Sequence, residues 1–300
     1  MVLIDPYGRK VTGLRISVTS RCNLRCIYCH HEGEVAGGRE ISREMAVNVV
    51  NAASRLGMRS VKITGGEPLM RRDLEEMIAG FKEVAPGVEI SITTNGVYLK
   101  ERAERLAAAG LSRANISLDS LDPERYRSIT GAREGDLERV LDGIEAAMLS
   151  GLRPVKLNMV VLKENEREIP EMIEFSRKSG VTLQLIELLG EGPKGDLESV
   201  ERLLEAQADG VLTRELHRRR KYFLNGAVVE IVRPIDNTEF CAHCNRLRVT
   251  SDGKLKPCLL RNDNLLEIGS TDPDEIERLI LEAVRRREPF FRCGDADAGR

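Results

Sequence analysis

Through most of this chain short β-like runs alternate with longer helical patterns, and that rhythm constrains the fold more than any other feature. The runs are Leu14–Val18, Ser60–Thr64, Glu89–Thr93, Arg113–Leu118, Val155–Val161 and Thr182–Leu188. Helical stretches are expected near 43–56, 72–83, 99–109, 123–129, 136–150 and 168–179. Asp122-Pro123 joins an N-cap to Pro at the first helical position, and Gly57, Gly110, Gly151 and Gly180 stand where helices should stop. Repeated strand–helix units imply a parallel sheet, closed or nearly closed into a barrel. Six units rather than eight predict an α/β fold, an incomplete (βα)6-type TIM barrel over residues 1–225. In such folds chemistry gathers at the C-terminal ends of the strands.

Beyond the sixth run, the loop Gly190–Asp196, rich in Gly and acidic residues, leads to a long charged helix expected near 197–220. Its Arg218–Lys221 run reads as a solvated helix end favoured by the macrodipole. Residues 226–300 are expected to form a small C-terminal α+β extension, with a few short strands and a helix near 273–287 announced by Thr271-Asp272-Pro273.

Charged residues make up 31% of the 300, but their signs nearly cancel to a net charge of −2. That balance gives no case for a nucleic-acid or membrane partner, and aromatics at 4% with no Trp leave little for base stacking. The basic residues that matter must therefore be few and local. With no charged-then-apolar leader and no apolar run near eighteen residues, the protein is expected to be cytoplasmic. In that compartment its seven cysteines read better as ligands than as disulfides. Six fall into two tight groups, and Cys293, standing alone, reads as an inert small residue.

The first group, Cys22-x3-Cys26-x2-Cys29, lies in the loop after the first strand. Three thiolates can hold three irons of a four-iron cube and leave one iron open to a ligand. The competing reading is a zinc site completed by His30 or His31. The second group, Cys241-x2-Cys244-x13-Cys258, again offers three thiolates. Its spacing suits a zinc ribbon, with His243 a poorly placed fourth ligand, or a second cluster whose open iron takes a substrate nitrogen or oxygen.

Cys22-Asn-Leu-Arg-Cys26-Ile-Tyr-Cys29 resembles the signature of the radical S-adenosylmethionine superfamily, whose cores are partial βα barrels. Thr64-Gly65-Gly66-Glu67-Pro68 after the second strand strengthens the resemblance, since that superfamily sets backbone groups there against the methionine ammonium. Ser117-Leu-Asp119 after the fourth strand, and Tyr28 between the last two cysteines, match positions that contact the bound cofactor. Gly66, Ser117 and Tyr28 are thus the cofactor-binding candidates. The resemblance implies a cluster with an open iron that chelates S-adenosylmethionine and passes it one electron, giving a 5′-deoxyadenosyl radical.

Ile63-Thr-Gly-Gly-Glu-Pro-Leu-Met-Arg-Arg-Asp73, Thr93-Thr-Asn-Gly96 and Cys244-Asn-Arg-Leu-Arg248 extend the resemblance, over nearly the whole chain, to the GTP 3′,8-cyclase family of molybdenum cofactor biosynthesis. That resemblance implies two [4Fe–4S] clusters, with GTP between them and its guanine on the open iron held by Cys241, Cys244 and Cys258. It assigns GTP binding to Arg15, Lys62, Thr93, Lys156, Arg246, Leu247 and Arg248, with Arg15 also catalytic. The physical reading agrees in part. Arg forks pair phosphate oxygens bidentately, Arg246 and Arg248 share one face of an extended segment, and Arg15 and Lys156 lie on barrel strands where a charge needs a partner. The partners implied are GTP, a reductant protein of unknown identity and a downstream pyranopterin-forming enzyme, with a homodimer left open.

Departures from the family pattern are specific. Many members end in Gly-Gly, whereas this chain ends Ala298-Gly299-Arg300. Lys62 stands where many relatives carry Arg, and Gln184 and Leu189 where many bacterial members carry Arg and Met. The competing functions are a peptide-modifying radical enzyme with two clusters and a zinc-binding interaction protein.

Overall fold

The computed structural model describes residues 2–34 and 39–291, so Cys293 and the C-terminal tail lie outside the described residues. Its centre is six strands: β1 (Gly13–Ser17), β2 (Ser60–Thr64), β3 (Glu89–Thr94), β4 (Arg113–Ser117), β5 (Lys156–Val161) and β6 (Thr182–Glu187). Each pairs in parallel with the next. The connections carry α1 (Arg43–Arg55), α2 (Leu74–Val84), α3 (Ala103–Ala108), α4 (Pro123–Thr130), α5 (Asp136–Leu149) and α6 (Ile169–Ser179). These elements follow the rhythm read from the sequence to within a few residues.

Local chemistry explains their limits. Ser42 and Asp122 accept hydrogen bonds from the backbone of Met45 and Arg125, capping α1 and α4. Gly180 stops α6 in the left-handed conformation at φ 66. On α1, Ala46, Val49, Val50 and Ala53 recur at helical spacing and are buried against the sheet. Each buried Val there contributes about 1.5–3 kcal/mol, so an Asp at Val49 would undo the docking of the whole helix.

The rest of the chain adds strands to the same sheet. It supplies α7 (Leu197–Gln207), β7 (Gly210–Thr213), β8 (Arg220–Leu224), β9 (Ala227–Val232), α8 (Thr238–Ala242), β10 (Arg246–Val249), β11 (Lys254–Lys256), β12 (Leu266–Glu267) and α9 (Pro273–Arg285). Strand β9 adds in parallel to β6, and β10 adds in parallel to β1 on the opposite edge. The twelve-stranded sheet therefore runs β12-β11-β10-β1-β2-β3-β4-β5-β6-β9-β8-β7. Among the described residues β9 and β10 do not pair, and the barrel stays open between them.

One expectation is corrected. The helix expected near 197–220 ends at Gln207, because Ala208-Asp209-Gly210 breaks it and the residues after it form the β7–β8 hairpin. Strands β8 and β9 form a tight hairpin whose turn is Asn225-Gly226, with both residues at positive φ. Among the described residues no helix is long and apolar enough to cross a membrane.

Candidate active site

Side chains alternate along a strand, so the inward positions of eight neighbouring strands define one interior surface. Register places Arg248 on β10 beside Arg15 on β1, and Arg15 beside Lys62 on β2. On the far side, Asn158 lies beside Gln184, and Gln184 beside Glu230 on β9. Where a barrel of this kind ordinarily packs branched apolar residues, this one carries Arg, Lys, Asn and Gln.

These residues line a cavity of about 330 Å³. It brings together Arg15, Lys62, Thr93, Lys156, Arg246 and Arg248, all predicted, with Cys241, Cys244 and Cys258. Gln184 and Leu189 are in its wall as well. Leu247 is the exception. Its alternation on β10 turns the side chain into the core, where it is 0% exposed, so it contributes no side chain to the cavity. Sequence reasoning missed Arg9, Arg113, Arg214, Arg219 and Arg287, which join the wall against only Glu32 and Glu288.

So much positive charge in a nearly neutral chain needs internal counter-ions. Glu32 meets Arg15 at 3.1 Å and Arg248 at 3.0 Å. Burial alone would raise its carboxyl, but those two guanidinium groups hold it down at about 2. Glu230, fully buried, takes Lys156 at 2.6 Å, Arg214 at 3.0 Å and Arg219 at 3.4 Å, and it too is held at about 2 against burial. Burial lowers Lys156 to about 8 in spite of Glu230. Burial also drives Lys62 well below the ordinary lysine range, and its next principal neighbours, Arg246, Arg15, Arg113 and Lys156, are all cations. The Nε atom of Arg15 is buried and meets no acceptor among the described residues. A polyanion entering this cavity would bring counter-charge to Lys62 and an acceptor to Arg15.

The second cysteine group is part of the cavity wall. Buried Asp5 holds Arg9 and Arg287, each at 2.7 Å, and these donate to the carbonyls of Cys241 at 3.1 Å and Cys244 at 2.7 Å. Burial raises the Cys244 thiol, but Arg287 and Arg246 outweigh it and leave it lowered.

The first group sits in the loop after β1, at the C-terminal end of the barrel. Asn95 after β3 donates to Asn23 at 2.8 Å, and Ile27 donates to the carbonyl of Ile129 at 2.9 Å. The Tyr28 hydroxyl donates to buried Asp119 at 2.5 Å, and Asp119 also accepts from the backbone of Val160. Ser117 ends β4, two residues before that aspartate. Gly66 donates to the Thr19 carbonyl at 2.7 Å, and a Cβ on it would overlap the Arg21 carbonyl, so only glycine lets the two loops approach. Behind it, fully buried Glu67 accepts from Thr94 and from the backbone of Asn95 and Leu69.

The donor sets fit iron–sulfur ligation. Cys22, Cys26, Cys29, Cys241, Cys244 and Cys258 are all free thiols. Burial pushes Cys26 up to about 12, and the charges of Asp119, Cys29 and Cys22 add to it, so the three sulfurs share one field. Among the described residues no group of three His, Cys, Asp or Glu side chains is drawn together around a single point. His30 lines the cavity, and the ring of His243 lies 2.9 Å from the Glu239 carbonyl.

Comparison with known proteins agrees with this geometry. The Radical SAM superfamily profile matches residues 16–176, and the Molybdenum Cofactor Synthesis C profile matches residues 190–292. A Methanosarcina mazei protein named "Probable GTP 3′,8-cyclase" is 54% identical over 304 residues, covering 97% of this chain and 90% of its own length. One of the same name from Archaeoglobus fulgidus is 49% identical over 301 residues, covering 97% and 100%. Among solved structures, anSMEcpe with bound AdoMet superposes with a TM-score of 0.64 at 16% identity, over 92% of this chain and 81% of that one. Streptococcus suis SuiB bound to precursor peptide SuiA gives 0.66 at 20% identity, over 94% of this chain and 66% of that one. These two likenesses show the shared fold. With both profiles matched and relatives this similar along their length, the chain belongs to the GTP 3′,8-cyclase family of the radical SAM superfamily, the radical cyclases of molybdenum cofactor biosynthesis.

Proposed function

We propose that the protein is a lyase that uses S-adenosylmethionine and two [4Fe–4S] clusters to convert GTP into (8S)-3′,8-cyclo-7,8-dihydroguanosine 5′-triphosphate. The observation that carries this reading is the cation-lined cavity whose wall also includes Cys241, Cys244 and Cys258. When bound, a cluster held by Cys22, Cys26 and Cys29 together with S-adenosylmethionine would supply a radical able to take the ribose 3′ hydrogen; the C3′–C8 bond formed next would leave one electron and one proton still to be added to the base, the electron coming from the protein reductant and the proton from solvent.

The chain's own residues orient and shield that chemistry. Tyr28, Gly66 and Ser117 hold the cofactor, the tyrosine fixed by Asp119 and the glycine by its approach to the cysteine loop. Arg15, Arg248, Arg246, Lys62 and Lys156 bind the triphosphate, with Thr93 offering a hydroxyl. Arg15 lies at the centre of the Arg248–Arg15–Lys62 rung, which suits it to hold the substrate through the reaction. The surroundings of this activity are a cytoplasmic compartment, a protein reductant and a separate pyranopterin-forming enzyme.

The test is anaerobic. Reconstituted protein with dithionite, S-adenosylmethionine and GTP should yield 5′-deoxyadenosine and a GTP-derived cyclic product by mass spectrometry, both absent in Cys22→Ala. Formation of 5′-deoxyadenosine with no consumption of GTP would sink the substrate assignment.

A further inference from the structure

Two cavity residues on the β7–β8 loop, His217 and Arg219, have no role in the reading above. His217 is 6% exposed and stands at φ 59, followed by Arg218 at φ 51, backbone that residues other than glycine seldom hold. Tertiary contacts impose it. The backbone N–H of His217 donates to the His243 carbonyl at 3.1 Å, inside the loop between Cys241 and Cys244. Its ring stacks on Phe240, centroids 3.7 Å apart and planes inclined by 19°. Strained backbone held by such contacts points to a side chain whose placement matters.

The ring's tautomer follows from its neighbour. Nη2 of Arg219 lies 3.0 Å from Nδ1 of His217. A guanidinium only donates, so Nδ1 accepts, and the single proton of the neutral imidazole is on Nε2. Burial, with Arg246, Arg219, Arg248 and Arg15 nearby, lowers the pKa and keeps the ring neutral. Arg219 is fixed in turn by Glu230 at 3.4 Å and lies over the Phe240 ring at 5.9 Å. Both Nε2 of His217 and Nε of Arg219 are buried and meet no acceptor among the described residues. Two N–H donors beside the second cysteine group thus lack acceptors among the described residues, and a ligand in the cavity can supply them.

We infer that His217 and Arg219 read the six-oxo edge of guanine and thereby select guanine over adenine. The inference rests on the proposed placement of GTP, base toward Cys241, Cys244 and Cys258. Guanine presents O6 and N7 along that edge, both acceptors, whereas adenine puts an amino donor at position 6. A hydroxyl could rotate its hydrogen to suit either base. An imidazole whose other nitrogen is engaged by an arginine cannot, so an adenine amino group would meet it donor to donor.

Equilibrium dialysis of the anaerobically reconstituted holoprotein tests this with GTP and 2-aminopurine riboside 5′-triphosphate, which lacks O6. The wild type should bind the second about tenfold more weakly, the scale of one lost hydrogen bond in a buried site. His217→Phe keeps the stacking on Phe240 and removes the donor. It should weaken GTP binding about tenfold, leave the analogue unchanged and so abolish the discrimination. His217→Gln, whose amide N–H reaches the place of Nε2–H, should restore it, with iron content equal in all three proteins. Equal weakening of both ligands in the Phe variant would overturn the assignment by placing His217 at the ribose or phosphates, as would unchanged GTP affinity. Wild-type protein that binds neither nucleotide would instead refute the proposed substrate, and this inference with it.

Discussion

Glu230→Gln removes the one carboxylate on which Lys156, Arg214 and Arg219 converge. The side chain of Glu230 is fully buried, and those of Lys156 and Arg219 are only 11% and 10% exposed. The amide that replaces it offers one oxygen and turns an NH2 toward cations. Breaking a buried ion pair by removing one partner costs about 3–5 kcal/mol, because the remaining charge is left desolvated and unpaired. Lysine has an escape that arginine lacks. Lys156 is already lowered to about 8, and without Glu230 it falls further and gives up its proton more readily, so the cost lies within that range rather than above it. The sign with pH follows. Between the variant's lysine pKa and about 8, the wild-type native state binds the extra proton, so the difference in stability shrinks as pH rises through about 8 and is flat above it. Anaerobic urea unfolding at pH 7 and pH 9 measures both quantities, and a melting temperature should fall by roughly 5–15 °C at pH 7. A loss under about 1 kcal/mol at pH 7, or a penalty that grows with pH, would refute the view that Glu230 compensates buried charge.

Two further outcomes are expected. Gly66→Ala should abolish S-adenosylmethionine binding while iron content stays at the wild-type level, since the added Cβ overlaps the Arg21 carbonyl and parts the two loops without touching a cysteine. GTP affinity, followed by equilibrium dialysis, should weaken in the wild type as pH rises through about 8, where Lys156 loses its charge. In Lys156→Arg that part of the dependence should vanish, and a profile identical to the wild type would exclude Lys156 as its source.

The barrel was legible because its signals are local. The helix cap at Asp122, the stop at Gly180 and apolar runs of strand length all act within a few residues. Arg15 and Lys156 were legible for a related reason, since a charge on a buried strand demands a partner, and Glu32 and Glu230 are those partners. The hairpins of the extension were not. Charged residues at helical spacing continue past Gln207, and Arg218–Lys221 imitates a helix end. In the fold that run is divided: Arg218 is exposed, Arg219 enters the cavity, Arg220 pairs with Glu205 of α7 and Lys221 lies over the Phe223 ring. Asn225-Gly226 carried the missing signal, because that dipeptide between two apolar runs marks a tight hairpin. Nothing local marks Arg9 or Arg287. Both reach the cysteine loop only because Asp5 draws together residues from opposite ends of the chain.

Leaving the barrel open follows from the same assembly and suits the site. Strands β9 and β10 extend the parallel sheet from opposite edges, and between them runs the segment bearing Cys241 and Cys244. Had β9 and β10 paired, the interior would have closed as in a packed barrel and the inward Arg, Lys and Asn side chains would have had no ligand to meet. With the gap kept, the second cysteine group stands at the wall that a complete barrel would have sealed. The first stands at the strand ends, in the loop after β1. A substrate with a polyphosphate at one end and a base at the other can then meet cations and cysteine sulfur in one cavity. Glu32 connects the two regions: it follows Cys29 by three residues and pairs with both Arg15 and Arg248, so the cysteine loop and the cationic rung are set by one carboxylate.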